Sequence, residues 1–231
     1  MKKIKKNFKF FLIFFLTLNF SFSIELKDLI EKIKQKESQI NSIKANYSQI
    51  INFVDLNEVY EIKADFLYVR PDKVKIELYS PIRQIIVADS NVIYVKDILN
   101  DIIYKFNSKR YFEKEHNYLP LIFSKKNMKY TVVDFIKKTG LKLVAEEEKY
   151  YVLSTKYSNK LHSKNRSTLL PKETKFVMWL DKDTLFPRKI SMVSEKYIVE
   201  TDLQNYEVNF EYLESEFEIE KSTNTKIIEI K

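Results

Sequence analysis

The chain has 231 residues, among them 17 Phe and 15 Tyr but a single Gly and no Cys. Without cysteine there are no disulfides, no thiolate metal sites and no lipid-modified N-terminal cysteine, and one glycine rules out a glycine-rich phosphate loop or a G-x-S-x-G nucleophile elbow. Lys and Arg number 40 against 32 Asp and Glu, yet Lys2, Lys3, Lys5, Lys6 and Lys9 lie in the first 23 residues without an acid, which leaves 35 against 32 beyond them, a net +3 too weak for a nucleic-acid binder.

The basic head runs into an apolar stretch from Phe10 to Leu18 (FFLIFFLTL), and Ser21 and Ser23 follow with the small side chains that a signal peptidase reads. The stretch is well short of the roughly 20 residues that cross a bilayer. Residues 1–23 are therefore expected to be a cleaved signal peptide, with a soluble protein beginning at Ile24. No later segment is apolar enough to span a membrane, and no Pro, Gly or Ser cluster divides residues 24–231, which reads as one domain.

Leu26, Leu29, Ile30, Ile33 and Ile40 fall near helical spacing among Glu, Lys and Gln, which predicts an amphipathic helix. The period then changes to two. Ile43, Ala45, Tyr47, Ile51 and Phe53 alternate with polar residues as a half-buried strand. The next strand, Tyr60 to Val69, places Ile62, Ala64, Phe66 and Tyr68 on one face, and the one after it sets Val74, Ile76 and Leu78 against Lys73, Lys75 and Glu77. Shorter strands are predicted at Gln84–Ala88, Val92–Val95 and Ile102–Phe106. Tyr118 to Ser124 (YLPLIFS) forms an apolar patch of one or two helical turns. Thr131 opens a T-x-x-D capping pattern with Asp134. Its helix continues through Phe135 and Ile136 to Gly140, where a left-handed cap needs a glycine.

Strands resume at Leu141–Glu146 and Lys149–Thr155, and a basic loop from Lys156 to Lys172 interrupts them. A hairpin follows, Glu173–Leu180 and Pro187–Val193, turning on Asp181-Lys182-Asp183 in place of glycine. The last strands are predicted at Tyr197–Tyr206 and near Phe217–Ile219. The fold class is thus α+β, mainly antiparallel β: a long meander with one helix before it and a helical insertion inside it, curling toward a barrel.

The segment ADFLYVRPDKVKIELYSPIRQIIVADSNVIYV, Ala64 to Val95, resembles the signature region of the LolA family of outer-membrane lipoprotein carriers. SIKANYSQI (Ser42 to Ile50) is similar to that family's first strand, and GLKLVAEEEKYYVL and FVMWLDKDTLFPRKI follow its order of elements. The resemblance implies an incomplete, half-open β-barrel closed by a helical lid around a hydrophobic cavity for acyl chains. It implies acylated lipoproteins as cargo, received from an inner-membrane lipoprotein-releasing transporter and handed to an outer-membrane acceptor by a monomeric periplasmic carrier without a cofactor. A glycolipid carrier or a lipid-sensing envelope module would use the same cavity.

Through the resemblance, Arg70 corresponds to the family's cavity arginine, which hydrogen-bonds to the lid and holds it shut. The sequence places Arg70 in parity with Ile62, Ala64, Phe66 and Tyr68, where a guanidinium needs acceptors such as helix carbonyls. A strand-end arginine bent into solvent by Pro71 is the competing reading. Ile62, Phe66, Tyr68, Val74, Ile76 and Leu78 are the candidate cavity lining, each of which could equally fill a core. Two departures from the family stand out: Ser90-Asn91 occupies a turn where the family often has glycine, and Lys160, Lys164, Arg166 and Lys172 make the long loop basic.

Catalysis and metal binding have little to rest on. His116 and His162 lie in predicted loops and are not spaced to share a metal, and Glu146, Glu147 and Glu148 read as a solvated turn. No catalytic residue, metal ligand or cofactor is expected.

Overall fold

The structure is a computed structural model and describes residues 24–108, 131–158 and 173–230. Helix α1 (Leu26–Ser38) is followed by strands β1 (Ser42–Phe53), β2 (Glu58–Val69), β3 (Lys73–Ser80), β4 (Gln84–Ala88), β5 (Val92–Asp97) and β6 (Ile102–Asn107). Helix α2 (Val132–Thr139) precedes β7 (Lys142–Glu146), β8 (Tyr150–Ser158), β9 (Glu173–Asp181), β10 (Pro187–Ser194) and β11 (Tyr197–Val208). A 3₁₀ turn, Glu214–Phe217, and β12 (Lys226–Ile230) complete the described chain.

All twelve strands form one sheet in the order β12-β6-β5-β4-β3-β2-β1-β11-β10-β9-β8-β7. The expected single meander is therefore two meanders, β1–β6 and β7–β11, joined where β1 pairs with β11 from Ile43↔Val208 to Phe53↔Tyr197. Antiparallel strands need no sequence continuity to pair, so β1 takes a partner more than 140 residues away as readily as its hairpin neighbour β2. The edges, β12 and β7, do not pair with each other among the described residues, and the barrel stays half open.

The C-terminal expectation fails. No strand forms near Phe217–Ile219. Phe217 closes the 3₁₀ turn and sets its ring edge-on to Tyr212 at 6.1 Å. The last strand lies later, at Lys226–Ile230, and runs parallel to β6. Its sequence KIIEI is too short to show a period. Lys156–Ser158 likewise belongs to β8 and not to a loop; Lys160, Lys164, Arg166 and Lys172, the patch Tyr118–Ser124, both histidines and the N-terminal 23 residues lie outside the described residues.

Elsewhere the alternation dictates the core. β3 buries Val74, Ile76 and Leu78, and β9 buries Thr174, Phe176, Met178 and Leu180, every second residue in each. Both helices lie on this apolar face. α1 contributes Leu29 and Ile33, and α2 contributes Val132, Val133, Phe135 and Ile136. The Phe135 ring meets Phe176 of β9 edge to face at 6.1 Å. Thr131 caps α2, its hydroxyl accepting from the Asp134 N–H at 3.1 Å, and Gly140 ends the helix at φ 69°.

Candidate functional site

Two features of the concave side stand out: a polar junction that fastens α1, and an apolar cavity beside it. At the C-terminus of α1 the last carbonyls run out of regular helical donors, although the Ile40 N–H still reaches the Glu37 carbonyl at 3.2 Å. Arg70, one residue past β2, supplies two: its Nη2 donates to the Glu37 carbonyl at 2.8 Å and its Nη1 to that of Ser38 at 3.3 Å. Asn209, just beyond β11, supplies the next, its Nδ2 donating to the Gln39 carbonyl at 3.0 Å while its Oδ1 accepts from the Asn41 N–H at 2.7 Å. A cation at this end also meets the negative pole of the helix dipole.

Glu37 couples the two helices. Its carboxylate Oε1 accepts from the N–H groups of Val132 at 2.5 Å and Val133 at 3.3 Å, the unsatisfied donors of the first turn of α2. One residue of α1 thus receives Arg70 on its carbonyl and α2 on its side chain. Arg70 itself is exposed. The parity expectation placed its side chain on the apolar face; β2 ends at Val69, and the guanidinium instead crosses the rim to the helix end.

The cavity, of about 450 Å³, opens where the β1–β2 hairpin extends past β3. Ile51 and Phe53 of β1, Tyr60 and Ile62 of β2, Leu78 of β3 and Pro81 and Ile82 of the β3–β4 turn line it, with Leu56 at the hairpin tip. Phe53 and Tyr60 pack edge to face at 5.7 Å. The Tyr60 hydroxyl donates to Glu58 at 2.9 Å, and that hydrogen bond, reinforced by the carboxylate charge, raises the phenol above its ordinary value. A second, more open hollow of about 470 Å³ lies between Ile24, Leu26 and β7. The first is the better candidate, being the more apolar and the more enclosed of the two.

Of the predicted lining, Ile62 and Leu78 border this cavity. Phe66, Tyr68, Val74 and Ile76 do not; at 0–3% exposure they fill the core beneath the helices. Tyr68 satisfies its hydroxyl on the Pro71 carbonyl at 3.1 Å. Sequence reasoning missed Ile51, Phe53, Tyr60, Pro81 and Ile82 as lining. The signal was present in the period of two running back from Ile62 to Tyr60, and from Tyr47, past Gln49, to Ile51 and Phe53. Among the described residues no cluster of His, Asp or Glu could hold a metal, and no helix is long and apolar enough to cross a membrane.

An unclosed, mainly antiparallel sheet with helices on its apolar face and a hollow at its mouth defines a half-open barrel with a helical lid. The chain belongs to the outer membrane lipoprotein carrier protein LolA family, whose model matches residues 38–220. Among solved structures, it is similar to an uncharacterized conserved protein from Thermus thermophilus, at TM-score 0.54 and 7% identity, over 88% of this chain and 98% of that one. A LolA superfamily protein from Nitrosomonas europaea aligns at TM-score 0.45 and 10% identity over 85% and 99% of the two chains. A putative outer membrane lipoprotein-sorting protein domain from Vibrio parahaemolyticus aligns at 0.42 and 10% over 82% and 94%. A comparison with curated protein sequences found no match.

Proposed function

We propose that this protein carries acyl chains, those of lipoproteins first among them, through the periplasm from an inner-membrane transporter to an outer-membrane acceptor. The observation that carries the reading is the apolar cavity of about 450 Å³ at the open end of the sheet. Each methylene moved from water into such a space gains about 0.8 kcal/mol, so an acyl chain binds without any specific polar contact. Family membership and the basic, apolar head of the sequence support the envelope location. Arg70 acts as the lid latch: its two bonds to α1 favour the closed, empty carrier, and cargo that needs the lid displaced must break them. No residue is assigned a catalytic role.

Ile82 lines the mouth and is 56% exposed, so Ile82→Glu leaves packing intact while setting a carboxylate against the incoming chain. Binding of a fluorescent fatty-acyl probe is expected to weaken at least tenfold. A folded variant that binds like the parent would overturn the cavity assignment. Mass spectrometry of the lipids and lipoproteins co-purifying with the parent distinguishes lipoprotein from glycolipid cargo.

A further inference from the structure

Turn tips are ordinarily polar, yet three successive hairpins at one end of this sheet each present a large aliphatic residue to solvent. They are Leu56 of the β1–β2 turn, Ile82 of the β3–β4 turn and Leu99 of the β5–β6 turn, at 64%, 56% and 87% exposure. Leu56 and Ile82 both line the cavity. Leu99 sits on the adjoining turn, which is tied to the second by the Ile98 N–H donating to the Arg83 carbonyl at 3.2 Å.

The end of the β1–β2 hairpin is also apolar on both of its faces. Ile51, Phe53 and Tyr60 point into the cavity, whereas Val54 and Val59 are exposed. Across the ladder from Val59, beyond Asn52, lie Ile198 and then Val193, both more than a third exposed. A sheet that meets water on one side alternates apolar with polar residues, and a strand end that is apolar on both sides is one covered on both sides.

We propose that this end of the barrel docks on a lipid bilayer, the aliphatic tips entering between headgroups so that an acyl chain passes between bilayer and cavity without crossing water. The inference rests on the carrier reading and adds the surface through which cargo moves. The form of the patch selects this occupant. The tips are single aliphatic side chains on separate turns, divided by Asp55, Asn57, Arg83 and Asn100, so they offer a protein partner no continuous groove. They are also continuous with the mouth of the acyl cavity. Asp55 and Glu58 flank Leu56, so attraction to anionic headgroups is not what holds the tip; apolar insertion is.

The test compares the parent with a Val59→Gln, Leu99→Gln double variant in flotation with phosphatidylcholine vesicles at physiological salt. Neither residue lines the cavity, and both are exposed enough that folding is not at issue. The two proteins share one N-terminus, so any contribution of residues 10–18 cancels. The expected result is association at least tenfold weaker for the variant, with unchanged binding of a soluble fatty-acyl probe. Equal association of the two proteins, or no association of the parent, overturns the docking surface. Loss of the probe by both proteins, with vesicle association still sensitive to the substitutions, sinks the carrier reading and leaves the docking surface standing.

Discussion

Replacing Arg70 with leucine isolates the latch from the rest of the lid. The substitution removes a bond of 2.8 Å to the Glu37 carbonyl and one of 3.3 Å to that of Ser38. Hydrogen bonds from a charged donor contribute about 1.5–3 kcal/mol when well shielded. Here the guanidinium is exposed and the second bond is long, so solvent screening brings the pair to about 1–2 kcal/mol. Against this stands the burial of Leu29 and Ile33 of α1, at 0% and 1% exposure. Each such side chain contributes about 1.5–3 kcal/mol. Apolar packing therefore holds the helix to the sheet, and Arg70 only biases its closure.

A bias of this size raises the cargo-competent fraction about 5- to 30-fold when it is removed, and apparent affinity rises by the same factor. Arg70→Leu is thus expected to bind a fluorescent fatty-acyl probe about 5- to 30-fold more tightly and to surrender it to acceptor vesicles correspondingly more slowly. Equilibrium titration and a stopped-flow release assay measure the two effects. A cooperatively folding variant whose affinity and release match the parent would make Arg70 a plain helix cap, and the latch would be abandoned. Weaker retention would refute it too, by showing that the arginine stabilises the loaded state.

The Ile82→Glu and Val59→Gln, Leu99→Gln proteins test the cavity and the docking end as described above, by probe titration and vesicle flotation. Gly140 has φ 69°, and a Cβ there would meet only the Thr155 hydroxyl at 4.0 Å, so Gly140→Ala incurs backbone strain without a clash. It should lose about 1 kcal/mol, or about 2–4 °C in a thermal melt, and an unchanged Tm would mean that the residue does not hold the left-handed conformation. The Asp101 carboxylate is held below its ordinary 3.8 by the Ser222 hydroxyl first and then by Thr225 and Lys96, opposed by partial desolvation. A depressed folded value stabilises above that ordinary value and ceases to do so as pH falls through the lowered one. Protection of the β12 amides, whose Lys226 N–H donates to the Asp101 carbonyl, should therefore fall below about pH 4 when exchange is referred to the intrinsic rate at each pH; a protection factor that is flat from about pH 6 to 3 would count against this.

Most individual elements could be read from the sequence. Val74, Ile76 and Leu78 against Lys73, Lys75 and Glu77 determine both a strand and its buried face, because a period of two is a property of the backbone and requires no partner. Thr131 with Asp134 and the lone Gly140 likewise determine both ends of α2 from local hydrogen bonding and one dihedral angle. Which strands adjoin is another matter. Nothing local to Ser42–Phe53 says that its second edge meets Tyr197–Val208, since ladder hydrogen bonds are made by a backbone that is the same in every strand.

The division between core and cavity was equally hidden. Phe66 and Ile62 share a face and a chemistry, yet one is buried beneath the helices and the other borders the open mouth. Their difference is set by where β3 stops at Ser80 while the β1–β2 hairpin runs on. Arg70 shows both sources at once. Its sequence position put a permanent cation at the end of an apolar strand, in need of acceptors. Only the tertiary structure, by laying the C-terminus of α1 across that strand end, decided that its partners are the carbonyls of Glu37 and Ser38, because a helix presents its last carbonyls at one end and their position depends on how the whole helix is packed.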